Sequence, residues 1–134
     1  MRSTHNKERT MPATSPAATH ELWRDGINRG DLEALITLYE EQAAFVPSPG
    51  SVVHGKDAVR EVLTGFLALR GTAKVETRRI VEGPDLALVV SDWTLDGTGL
   101  DGTPASLSGT TADVVRKQPD GRWLIALDNP FGVI

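Results

Sequence analysis

Three aspartates stand among apolar residues in the last third of the chain: Asp92 in V-V-S-D-W-T-L, Asp113 in T-A-D-V-V-R and Asp128 in I-A-L-D-N-P. A strand presents every second residue to one environment, so a carboxyl in such a run either meets solvent or is carried inward. An inward carboxyl must be paired, protonated or engaged in chemistry. Two carboxyls within about 5 Å force their proton affinities apart, and one site then supplies both an acid and a base. Asp113 is the first candidate. Against an apolar wall its pKa would rise, and it could donate or accept a proton or donate a hydrogen bond. On the outer sheet face it would pair instead with an arginine such as Arg116 or Arg78. Asp128 and Asp92 are its candidate partners. Asp113 lies eight residues before Gly121 and Asp128 seven after it, so whether they share a face depends on a bulge. Asp92 either joins them across neighbouring strands or satisfies backbone at a strand kink.

Around these acids, Trp23, Tyr39, Phe45, Phe66 and Trp93 form either the apolar core or the wall of a ligand pocket, since large rings dominate burial in both cases. Tyr39 carries the chain's single phenol and could donate to a ligand oxygen. Asn129 is an amide donor at the pocket mouth or a turn residue. Trp123, just after a turn, is expected on the outer or rim side. Arg78 and Arg79 point to opposite faces of a strand, so one could enter the cavity as a carboxylate partner. Other chemistries lack their residues. With no cysteine there is no disulfide, thiolate nucleophile or Cys-based zinc site. His5, His20 and His54 lack the i, i+4 spacing of a helical metal site, so no metal and no cofactor is expected. No serine sits in a G-x-S-x-G elbow. The glycines Gly97, Gly99 and Gly102 precede no helix and are turn glycines, not a phosphate fingerprint.

The elements that must position these groups change period part-way along. Ser15-Pro16 opens a first helix with Leu22, Trp23 and Ile27 at helical spacing, ending near Gly30. Asp31 caps a second, whose apolar set is Leu32, Leu35, Ile36, Leu38 and Tyr39. A short strand over Ala43 to Val46, the P-S-P-G turn and a strand over Ser51 to Val53 follow. A third helix carries Val59, Val62, Leu63, Phe66 and Leu67. From Thr72 the period becomes two. Strands are expected over Lys74 to Glu82, over Leu86 to Thr94 (buried on both faces as far as Ser91), over Ala105 to Lys117 and over Arg122 to Asn129. Gly97 to Gly102 reads as a loose loop, and Pro119-Asp120-Gly121 is a tight reversal between two apolar arms. Three helices followed by an antiparallel meander predict an α+β domain with helices on one face of a curved sheet.

The 134 residues fit one domain, expected over 16–134 behind a disordered leader over 1–15, with Met11 as an alternative start. The charge of -4 with mixed signs argues against a nucleic-acid footprint. The longest apolar run, Leu86 to Val90, falls far short of the about 20 residues that span a bilayer. The N-terminus lacks the apolar segment of a signal peptide, and a cytoplasmic location is expected.

The succession W-R-D-G-I-N-R-G-D-L-E-A-L-I-T-L-Y-E, A-A-F-V-P-S-P-G, H-G-K-D-A-V-R-E, S-D-W-T-L and D-G-R-W-L-I-A-L-D-N-P-F resembles the SnoaL-like branch of the nuclear-transport-factor-two-like superfamily, over about Ala17 to Phe131. The resemblance implies a cystatin-like conical α+β barrel, a deep apolar pocket and a homodimer through the outer sheet face. It includes ketosteroid isomerases, polyketide cyclases, epoxide hydrolases, dehydratases and many proteins without known activity, so fold does not fix function. By that resemblance Asp113 falls where ketosteroid isomerases keep a protonated aspartic acid. Trp23 falls at their oxyanion-hole tyrosine and Pro47 at their general-base aspartate, and Ala126 and Asp128 face inward. With the base lost, steroid-type isomerisation is not expected. The expected function is cofactor-free acid-base chemistry on a small apolar, oxygenated metabolite, of the cyclase, isomerase, dehydratase or epoxide hydrolase type. The alternative is a non-catalytic ligand binder or dimeric accessory protein.

Overall fold

The computed structural model describes residues 12–132. Helix α1 spans Pro16–Arg29: the Ser15 side chain accepts from Ala18 N–H, Pro16 opens the first turn, and Gly30 closes the last at φ 66°. Most of the expected leader, residues 1–11, lies outside the described residues. Its end is held in place, because Ala13 is buried and its carbonyl accepts from Trp123 N–H at 2.8 Å. Asp31 caps the short helix α2, Leu32–Ile36. The sequence pattern carries that helix to Tyr39, but it stops sooner. Leu38 O accepts from Ile125 N–H at 2.7 Å, and Tyr39 already begins strand β1, Tyr39–Ser48. A five-residue helix has little propagation energy to resist capture by a strand. Strand β2 is Ser51–His54, and helix α3, Lys56–Leu67, follows Gly55.

Four long strands complete the chain: β3 (Thr72–Glu82), β4 (Leu86–Thr98), β5 (Pro104–Lys117) and β6 (Trp123–Asp128). The sheet order is β2-β1-β6-β5-β4-β3, with β1 and β6 parallel and every other pair antiparallel. The fold is thus α+β, with three helices among the described residues on the inner face of a curved six-stranded sheet. The core is built from inward residues of β1, β4, β5 and β6 packed on Leu35, Val59 and Leu63.

Strand β4 corrects the sequence reading of a strand buried on both faces. Ala87, Val89, Ser91, Trp93 and Leu95 are buried, while the residues between them face outward. Its apolar outer residues belong to a surface taken up below. The expected loose loop also begins later, because Gly97 is still in β4 and packed: a Cβ there would lie 2.4 Å from Leu69 O. Trp123, expected at the rim, is buried as the first residue of β6.

Candidate active site

The site begins with an irregularity in β6. Val115 pairs with Ile125 but Val114 with Leu127, leaving Ala126 as an extra, half-buried residue. Without it, alternation from the buried Ile125 would carry Leu127 inward and Asp128 outward. The bulge reverses both: Leu127 is 37% exposed and Asp128 only 5%. Beyond the Val114–Leu127 pair, the next inward positions on the two strands are Asp113 and Asp128. The two acids of the terminal hairpin therefore meet.

Asp113, 3% exposed, is held on all sides. Its Oδ1 accepts from Thr111 Oγ1 at 2.6 Å and from Asn129 N–H at 2.8 Å, and its Oδ2 lies 2.7 Å from His20 Nε2. His20 Nδ1 in turn lies 2.7 Å from Ser91 Oγ. Asp128 Oδ2 accepts from the fully buried Tyr39 hydroxyl at 2.5 Å, and its carboxyl neighbours that of Asp113. The result is a buried row of polar side chains, Ser91, His20, Asp113, Asp128 and Tyr39, running from α1 across the sheet to β1. Burial pushes Asp128 well above the usual carboxylate range, and the neighbouring charge of Asp113 adds to this against the opposing Tyr39 bond. Thr111 Oγ1 and the Asn129 amide both donate to Asp113 while burial raises Asp128, so the proton of the pair resides on Asp128. Tyr39 is likewise raised well above the usual phenol range, first by burial and then by Asp128.

Above the carboxyls lies a cavity lined by His20, Trp23, Phe45, Phe66, Val75, Trp93, Thr111, Asp113, Asp128 and Pro130. Its empty volume is about 380 Å³ with its mouth, of which about 30 Å³ can take the centre of a water-sized sphere. The space is thus a narrow slot between rings. Trp23 meets Phe66 and Trp93 edge-on, with centroids 6.3 and 6.4 Å away, and Trp93 Nε1 is anchored to Pro130 O at 2.6 Å. Among the described residues no group of three His, Asp or Glu could hold a metal ion.

Of the residues singled out from the sequence, Asp113, Asp128, Trp23, Phe45, Phe66 and Trp93 line this cavity, and Tyr39 braces it through Asp128. Asp92 does not join them. It faces outward, accepting from Thr110 Oγ1 and pairing with Arg78 at 3.1 Å, because Ser91 and Trp93 take the inward positions beside it. Neither Arg78 nor Arg79 enters: both are exposed, and Arg78 is the extra residue at a bulge in β3. Asn129 is the turn residue, its side chain bonded to Gly132 O and its backbone to Asp113 and Ala112. Among the residues missed were Thr111, never singled out, and His20, considered only as a metal ligand. The signal was its place on the inward stripe of α1, three residues before Trp23 and seven before Ile27.

The sequence pattern of the SnoaL-like domain matches residues 20–125, most of the chain and every element from α1 into β6. The chain belongs to the SnoaL-like domain family. No curated protein sequence matches it. Solved structures do so closely in shape. A ketosteroid isomerase-like protein from Erwinia carotovora atroseptica is 23% identical with a TM-score of 0.72, covering 84% of this chain and 88% of its own. A candidate dehydratase of the NTF2-like family from Streptomyces avermitilis is 17% identical (TM-score 0.69), covering 88% and 94%. A candidate calcium/calmodulin-dependent protein kinase type II association domain from Thiobacillus denitrificans is 16% identical (TM-score 0.74), covering 92% and 99%. At such identities these neighbours speak for the fold of this SnoaL-like domain alone. No helix among the described residues is long and apolar enough to cross a membrane.

Proposed function

We propose that this SnoaL-like domain performs cofactor-free acid-base chemistry on a small apolar, oxygenated metabolite. The observation that carries the proposal is the pairing of two buried carboxyls with unequal surroundings at one end of an aromatic slot. Asp128 keeps its proton and serves as the acid, the charge left on it after donation being held by the Tyr39 hydroxyl; Asp113, braced by His20, Thr111 and the Asn129 amide, carries the pair's negative charge beforehand and serves as the base that takes up the substrate's proton. The sequence reading named Asp113 as the main proton donor or acceptor, with Asp128 as its partner; here the donor's part falls to Asp128. The chemistry needed for dehydration, isomerisation, cyclisation or epoxide opening is the same proton transfer to or from an oxygenated carbon skeleton. Turnover of a panel of small enones, β-hydroxy ketones and epoxides tests it. Wild type should turn over at least one class, with Asp128→Asn reducing kcat by about 100-fold. Equal turnover by the variant, or no turnover of any class, defeats the proposal. Binding without turnover would favour the non-catalytic reading, which the deep burial of both carboxyls behind rings supports.

We also propose a homodimer through the outer sheet face. Val81, Leu88, Val114 and Leu127 are successive cross-strand partners over four strands and form an apolar row on that face. Polar pairs flank it, Arg116 with Glu40 on one side and Arg78 with Asp92 on the other.

A further inference from the structure

The slot as it stands holds water and no ring, since only about 30 Å³ of it takes the centre of a water-sized sphere. A ligand with a carbon skeleton therefore enters only if a wall moves. Of the residues around the slot, Pro130 alone belongs to neither a helix nor a strand; the others stand on hydrogen-bonded strands or on α1 and α3, whose apolar faces fill the core. Pro130 is part of a strap, residues 129–132, that crosses the inner face of β5 after β6 has ended. Its ties are few. Asn129 O accepts from Ala112 N–H and from Gly132 N–H, each at 3.0 Å, and Asn129 N–H donates to Asp113 Oδ1 at 2.8 Å. Pro130 has no N–H to give, and its carbonyl turns to Trp93 Nε1 at 2.6 Å. Phe131 lies half-buried beside the Trp93 ring, with centroids 6.0 Å apart. The sheet leaves room for this crossing at Gly109, the partner of Trp93 in β5, where a Cβ would lie 2.8 Å from Pro130 O.

We propose that the strap 129–132 is the moving wall of the slot and that Asp113, besides serving as the base, is its latch: ionised it holds the strap down, and neutral it lets the strap rise. This rests on the acid-base reading above and adds how the site opens. A hydrogen bond to a carboxylate is about twice as strong as one to a neutral group. The proton that Asp113 takes from the substrate leaves its carboxyl neutral, no other atom being transferred, so the Asn129 tie weakens when a product is ready to leave. The strap then lifts with Pro130 and Phe131, and the slot widens toward solvent. Asp113 next passes that proton to Asp128, which gave its own to the substrate. The charge on Asp113 is restored and the strap closes. One carboxyl thereby links the proton transfer to the opening of the site.

Hydrogen exchange in the ligand-free protein tests the latch. In the wild type the Asn129 and Gly132 amides should exchange about 100-fold faster than that of Ile125, which is bonded to Leu38 O within the sheet. Asp113→Asn keeps the shape and removes the charge, and should speed Asn129 and Gly132 about tenfold further. Gly109→Ala raises the strap without touching the acid, so fluorobenzene, followed by fluorine resonance, should enter that variant about tenfold faster than wild type. The wild-type exchange and Gly109→Ala decide the question even where Asp113→Asn folds poorly. Strap amides as slow as Ile125, strap rates unmoved by Asp113→Asn, or equal entry into wild type and Gly109→Ala would each overturn the proposal, while the acid-base reading would still stand or fall on its own substrate panel. Fluorobenzene that entered neither protein would overturn the strap and the pocket together.

Discussion

Asp128 is a buried acid beside a second acid, and the sign of its effect on stability follows from that burial and that neighbour. Its folded-state pKa lies above its unfolded value, so between the two the native state binds more protons than the unfolded chain and stability falls as pH rises. The contribution is intact below the ordinary carboxylate range and lost as pH climbs through the raised value. Surface acids held low by partners, such as Glu33 with Arg60, act in the opposite sense. The difference between wild type and Asp128→Asn cancels them. We expect the variant to gain stability relative to wild type as pH rises from 4 toward neutrality, read from urea midpoints across that range; a constant offset would mean that Asp128 is not the protonated partner. His20→Ala should act the other way, costing about 3 kcal/mol at neutral pH by leaving the buried Asp113 Oδ2 without its partner and Ser91 with only its 3.4 Å bond to Thr77. Asp113 and Asp128 were legible as candidates because acids in apolar strands are conspicuous. His20 was not, because its partner is 93 residues away and nothing local betrays the contact.

The elements show a conflict between pattern and structure in β6. Simple alternation would bury Leu127 and expose Asp128, the arrangement hydrophobicity prefers, and the Ala126 bulge does the reverse. A local choice made against burial marks a position kept for something other than stability. The sequence could state that a bulge would decide the matter but not that one existed, since register is settled by long-range pairing with β5 and β1. Likewise the reach of α2 was misjudged at Tyr39, where the strand partner and not the helical pattern prevails. Glycines at element junctions differ in the same non-local way. Gly71 and Gly97 sit where the chain after α3 crosses β4, each with a carbonyl oxygen 2.4 Å from where a Cβ would be, whereas Gly65 inside α3 has nothing within 4 Å. Gly97→Ala should therefore cost about 2 kcal/mol or more through backbone displacement and loss of the Thr98–Leu69 bond. Gly65→Ala should add about 0.5–1 kcal/mol by helix propensity. Thermal denaturation of the pair compares crowding and propensity directly, and equal effects would refute the crossing as the cause.

At the scale of the whole molecule, the order of helices and strands was readable from periodicity, while the outer face was not. Reading β4 as buried on both faces had a physical basis: Leu86 and Leu88 are apolar like their inward neighbours, yet they are 44% and 38% exposed. The exposed apolar side chains need a cover, and a second copy of the chain would supply it. The row from Val81 through Leu88 and Val114 to Leu127 crosses four strands, long enough to centre an interface of the roughly 800 Å² per partner that stable dimers bury. Leu88→Glu puts a charge at the middle of that row without touching the inner face, where Val89 packs the core. Sedimentation equilibrium should show a wild-type dimer and a variant monomer that keeps its far-ultraviolet spectrum. Its inward residues from Ser91 to Tyr39 should stay in place, so the monomer should keep the wild-type pH dependence of stability. A wild type that is monomeric at every concentration would instead leave the row as bare surface and remove the dimer, while the site, built wholly within one chain, would not depend on it.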